Sequence, residues 1–136
     1  EQRLTDQHVP LLFYAPQLLA PARRSEVVSQ IDVLPTLLGM LNQPTEHYTL
    51  GRDLLAPDKK NDFAFLTNTT DRIGMVTNDQ FFSRNVNSGE EILLPLNATT
   101  ARQTMAQQDS IRQKLSSITQ AYADLARFLL FHNSGN

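Results

Sequence analysis

Val27–Leu41, VVSQIDVLPTLLGML, decides how the chain is read. Ile31, Leu34, Leu38 and Leu41 recur at intervals of three, four and three, the single-face period of a helix. Ser29 and Asp32 stand where the opening turn offers free N–H groups, and Pro35 lies near enough to that turn for its missing N–H not to matter. The stretch predicts a short, buried, N-capped helix over 30–42. Ahead of it, Pro10–Ala15 (PLLFYA) is a continuous apolar run bounded by Pro10 and Pro16, which predicts a strand covered on both faces. Buried strand, loop and helix make half of an α/β unit. A sheet with one such strand is unfinished, so the chain reads as a piece of something larger.

The run Asp58-Lys59-Lys60-Asn61-Asp62 marks a solvated joint. It separates an edge of an α/β domain (1–57) from a small C-terminal subdomain (58–136). Within the second part Phe63–Thr67, Ile73–Thr77, Phe81–Arg84 and Ile92–Leu96 read as strands of one antiparallel sheet. Asn78-Asp79 suits a tight hairpin with positive φ, and Asn87-Ser88-Gly89-Glu90 a second turn. Phe65, Met75, Phe81 and Leu93 are its expected covered side chains. A helix over 101–131 closes the chain. Thr100 and Gln103 have capping-box spacing. Ile111, Leu115, Ile118, Tyr122, Leu125 and Leu129 then form one apolar stripe, too short for a coiled-coil seam to be the simpler reading. The fold class is therefore α/β: a buried strand plus helix, then a small antiparallel sheet of about four strands and a long terminal helix.

Composition narrows the classes. The 136 residues are 40% hydrophobic and 19% charged, the balance of an ordinary globule. A net charge of −2 gives no general attraction to nucleic acid or acidic membranes. No apolar run approaches a membrane span. The absence of cysteine removes disulfides and thiolate metal sites. The opening at Glu1, without methionine or a signal-peptide pattern, reads as a cut-down chain.

The order HVPLLFYAP, VVSQIDVLPTLL, LGRDLL resembles the C-terminal part of the sulfatase-like branch of the alkaline phosphatase superfamily. It is most similar to the membrane-anchored phosphoglycerol and phosphoethanolamine transferases. The match is carried by Val9-Pro10-Leu11, Tyr14, Pro16, Ser29, Ile31-Asp32-Val33, Pro35-Thr36-Leu37-Leu38, Gly51 and Leu54-Leu55, and it spans residues 8–55; beyond 60 it rests on element order. The resemblance implies an alkaline phosphatase-like fold. It also implies a parent with a divalent metal (Zn, Mn, Mg or Ca), tethered at the periplasmic or extracellular face of a bacterial membrane.

That chemistry needs a hydroxyl or formylglycine nucleophile at a metal held by carboxylates and histidines. The resemblance puts the nucleophile far upstream, and the metal-ligating Asp-His pair before the Val9-Pro10 strand. This chain has no adjacent Asp-His pair and no Cys-x-Pro-x-Arg motif. No catalytic or metal residue is therefore assigned here, and no cofactor is expected in the fragment itself. His8, at the head of the first strand, and Arg24, beside Arg23, are the candidates for a substrate contact or cleft rim. Against that, one imidazole makes no metal site, and each has a plain reading, a loop histidine beside Asp6 and a solvated arginine pair. His47 reads as surface, and His132 as a cation favoured at a helix C-terminus. Ser29, Asp32 and Thr36 are explained by capping rather than by nucleophilic chemistry. The sequons at Asn68 and Asn97 are discounted.

Two function classes follow. In the first, the chain is the C-terminal fragment of a metal-dependent phospho- or sulfo-ester transferase or hydrolase, supporting the active-site cleft and inactive alone. Its partner is then the upstream part of the same parent chain, and an unpaired sheet edge beside Pro10–Ala15 favours self-association. In the second, it is a non-catalytic interaction module docking through Ile111–Leu129.

Overall fold

The computed structural model describes residues 8–42, 49–57, 62–67 and 71–132. A 3-10 turn, Gln30–Asp32, leads into helix α1, Val33–Met40. Four strands follow: β1 (Phe63–Thr67), β2 (Arg72–Thr77), β3 (Gln80–Asn85) and β4 (Glu91–Pro95). They pair with their sequence neighbours as an antiparallel meander, β1-β2-β3-β4. After a second 3-10 turn, Thr100–Arg102, helix α2 runs from Met105 to His132. The protein is thus mixed α/β, with the four-stranded sheet and the long C-terminal helix that the sequence predicts.

Register explains where the core lies. Met75 pairs with Phe82, which pairs with Leu93, so the three share one face of the sheet. Met75, Phe82 and Leu115 are buried there, the first two completely, and Phe63, Leu93, Ile111, Ile118 and Tyr122 pack around them. Phe81, its neighbour by one residue, is buried on the opposite face. Of the expected covered set, Met75 and Phe81 are buried while Phe65 and Leu93 are half-buried.

Four local expectations are corrected. Pro10–Ala15 forms no strand, and Leu12 and Tyr14 are 83% and 85% exposed. A strand apolar on both faces needs neighbours on both sides, and no ladder among the described residues runs beside it. The α1 stripe is likewise not buried: Ile31, Leu34 and Leu41 are exposed, whereas Asp32, Pro35 and Thr36 are enclosed. The helix turns its polar flank inward because Asp32 and Thr36 find partners there.

The capping box of α2 falls one turn late. Thr104 N–H donates to Gln107 Oε1 at 2.9 Å, and Gln107 N–H donates to Thr104 Oγ1 at 3.4 Å. Thr100 instead opens the 3-10 turn, its N–H donating to Asn97 Oδ1 at 2.9 Å and its hydroxyl to the Asp79 carbonyl at 3.1 Å. The Asn78-Asp79 hairpin does without positive φ. Thr77 Oγ1 closes it by accepting the N–H of Gln80 at 3.0 Å and of Asp79 at 3.3 Å. The second turn forms as read, with Gly89 at φ +74° and Asn85 Oδ1 accepting the Asn87 and Ser88 N–H groups. Of the solvated joint, residues 58–61 lie outside the described residues.

Candidate functional site

The densest polar constellation is built on Asp32. Its carboxylate is 1% exposed and accepts four hydrogen bonds. Oδ2 takes the Ser29 N–H at 2.9 Å and Arg52 Nη2 at 2.8 Å. Oδ1 takes the Arg52 backbone N–H at 2.8 Å and Nε at 3.3 Å. A buried carboxylate tolerates enclosure only with such saturation. Thr36 completes the knot: its hydroxyl donates to the Asp32 carbonyl at 2.6 Å and accepts the Leu54 N–H at 3.0 Å. Gly51 leaves no room for a side chain, since a Cβ there would collide with the Ile31 carbonyl.

Arg52 carries the junction into the sheet. Nη2 donates to the Phe63 carbonyl at 2.9 Å, and Cζ lies 4.5 Å from the Phe63 ring centre. Phe63 meets Tyr122 edge-on at 5.2 Å, and Phe65 stacks on the same tyrosine at 5.9 Å. Burial raises the Tyr122 phenol above its ordinary 10.0; Arg52 opposes the shift and Asp32 adds to it. Asp32, Arg52, Phe63 and Tyr122 therefore join the first part of the chain to β1 and α2. The arrangement supplies no nucleophile and no free base; its atoms are consumed holding three segments together.

The candidate rim residues are not part of it. His8 is exposed, and Asp6, its suggested partner, lies outside the described residues. Arg24 donates from Nη1 to the Leu54 carbonyl at 3.1 Å and faces Glu26 at 3.8 Å. That fixes the 24–27 loop beside the junction, as does the Val27 N–H donated to Asn78 Oδ1 at 3.2 Å. His132 Nδ1 lies 2.8 Å from the Phe128 carbonyl in the last turn of α2. His47 and Asn68 lie outside the described residues.

An open groove of about 570 Å³ runs between α2 and the β3-β4 side of the sheet, lined by Arg84, Glu91, Ser116, Gln120 and Asp124 among others. Its polar groups largely bind one another: Ser116 Oγ donates to Glu91 Oε1 at 2.6 Å, and Gln120 Nε2 to Asp124 Oδ1 at 3.0 Å. Among the described residues no group of three or more His, Asp or Glu side chains is placed to hold a metal ion. No helix among them is long and apolar enough to cross a membrane.

The cap read at Ser29 and Asp32 is there, the two forming a capping box in which Asp32 Oδ2 accepts the Ser29 N–H, but sequence reasoning missed Arg52 as the second partner of Asp32. The signal was the GRDLL stretch, an Arg-Asp pair between a glycine and two leucines, but nothing in spacing tied residue 52 to residue 32. The stripe on α2 proves divided in use. Leu115 is buried and Ile111, Ile118 and Tyr122 pack on the sheet, while Leu125 stays exposed.

Comparison with protein-family models, with curated proteins and with solved structures finds no match.

Proposed function

We propose that this chain is the C-terminal part of a sulfatase-like enzyme, a metal-dependent phospho- or sulfo-ester transferase or hydrolase, and that it braces the catalytic body without catalysing alone. The observation that carries this reading is the ordered set HVPLLFYAP, VVSQIDVLPTLL, LGRDLL, whose second and third members meet at the Asp32–Arg52 pair. Residue types that seemed unrelated along the chain thus serve one junction. The nucleophile and divalent metal belong to preceding polypeptide, at the periplasmic or extracellular face of a bacterial membrane. His8 and Arg24 remain proposed rim contacts of that assembled cleft.

The test compares two purified proteins, this chain and the product of its complete reading frame. Each is assayed with Mn²⁺, Zn²⁺ or Ca²⁺ on a chromogenic phosphodiester and a chromogenic sulfate ester. Turnover is expected from the complete product alone. Turnover by this chain that disappears in His8→Ala overturns the reading, as does a complete frame that lacks activity on both esters. The interaction-module reading is less favoured, because Ile111, Leu115, Ile118 and Tyr122, four of the six α2 stripe residues, are already used inside the molecule.

A further inference from the structure

We infer that the Arg52 arm guards the open edge of β1, and that the partner it excludes is β1 of a second copy of this chain. The inference does not depend on the enzyme reading.

Ladder geometry defines the edge. β1 ends the sheet order, with β2 on one side and no strand among the described residues on the other. Val86 N–H donates to the Asp71 carbonyl, so alternate positions from 71 to 77 turn their backbone groups to β3, and 72, 74 and 76 turn theirs to β1. By register Gly74 and Val76 meet Leu66 and Ala64. The N–H and C=O groups of Phe63, Phe65 and Thr67 therefore point outward, a template for another strand.

The two edges of the sheet are protected differently. β4, Glu91-Ile92-Leu93-Leu94-Pro95, has a charge at one end and a proline at the other. β1 is Phe-Ala-Phe-Leu-Thr, with neither, and such a segment pairs readily with its own kind. Its protection comes from outside the sheet. Arg52 Nη2 donates to the outward Phe63 carbonyl at 2.9 Å, and the guanidinium carbon lies 4.5 Å from the Phe63 ring centre. Asp32 Oδ2 holds the same nitrogen at 2.8 Å. An incoming strand has to displace the guanidinium from that carbonyl and break into a buried ion pair. Charge placed at an edge deters pairing in this way.

The strand that best fits the edge is β1 itself. Laid antiparallel about Phe65, two copies put Phe65 opposite Phe65, Phe63 opposite Thr67 and Ala64 opposite Leu66, so no charges meet. The outward groups at 63, 65 and 67 then form about six hydrogen bonds once both Phe63 carbonyls are free. The contact is two-fold and closed. Pairing with β4 of a second copy is poorer, because Pro95 has no N–H to give.

Sedimentation equilibrium tests this on the parent, on Asp32→Leu with Arg52→Met, and on that double variant with Thr67→Pro added. The double variant removes the guard together with its counter-charge, so no lone buried charge remains. It is expected to dimerise at least about 10-fold more tightly than the parent, with the Phe65 and Thr67 amides exchanging more slowly as concentration rises. Thr67→Pro deletes an outward N–H and spares the bonds to β2, so its addition should restore the parent's behaviour. Circular dichroism checks that each protein keeps its helix. Asp32→Asn with Arg52→Gln, a neutral pair that keeps the cap at Ser29, takes the place of the first double variant should that one fail to fold. A folded, unguarded variant that associates no more than the parent overturns the inference. Association that survives Thr67→Pro also overturns it, since it then runs through another surface.

Discussion

Asp32 shows how much one buried charge can organise. Removing it leaves the Arg52 guanidinium without its main counter-charge, and breaking such a pair typically costs about 3–5 kcal/mol. Asp32→Ala is therefore expected to lower the urea midpoint steeply. The double variant Asp32→Leu with Arg52→Met should recover part of the loss, which a denaturation series on all four proteins will check. Thr119 is the opposite case: fully enclosed, with a hydroxyl that has no partner among the described residues. Thr119→Val removes an unsatisfied group at almost constant shape and should raise stability by about 1 kcal/mol. Tyr122 gives a pH signature. Its folded phenol titrates above its unfolded value of about 10, so its contribution is whole below that pH and is lost as pH climbs through the folded value. Urea midpoints between pH 8 and 11 should fall more steeply for the parent than for Tyr122→Phe, which keeps the ring contacts. The cap at Asp32 and the place of Tyr122 on the apolar stripe were legible in sequence, but the Arg52 partner and the enclosure of Thr119 were not, because they depend on segments distant along the chain.

The elements of the second part were legible because their signals are local. Strand alternation, Gly89 and the stripe on α2 each act over a few residues, and β1 to β4 lie where those signals put them. The capping box slipped by one turn because Thr100-Gln103 and Thr104-Gln107 have the same spacing, and only contacts to Asp79 and Asn97 separate them. The edge of β4 has its own device. Leu96 N–H donates to Asp79 O and Asn85 N–H donates to Glu90 O, so positions 90, 92, 94 and 96 face β3 and 91, 93 and 95 face outward. Pro95 therefore removes one of the outward N–H groups and blunts the edge. Pro95→Thr should promote concentration-dependent association, measured by sedimentation equilibrium, while leaving the monomer's helix content unchanged.

For the whole molecule, the contrast is between a sheet-and-helix part with a closed core and a first part in which Leu54 is buried but many apolar side chains, Leu12, Tyr14, Leu34 and Leu41 among them, are exposed. Substitutions should register that contrast directly. Phe82→Ala, under α2, is expected to cost about 3–5 kcal/mol. Leu34→Glu combined with Leu41→Glu should change stability by no more than about 0.5 kcal/mol, and should reduce binding of an apolar fluorescent dye. A large destabilisation by the leucine pair would show that α1 packs by its apolar stripe after all.

Sequence by itself determined a small antiparallel sheet of about four strands, the places of the two turns, the terminal helix and the existence of α1, since each follows from periodicity and turn chemistry within a short window. Tertiary structure alone decided the strand order of the sheet, which flank of α1 is enclosed, that Asp32 binds Arg52, and that Pro10–Ala15 pairs with no strand among the described residues. Those outcomes depend on what lies alongside, and neither a hydrogen-bond partner 20 residues away nor a neighbouring strand can be read from the period of the residues themselves.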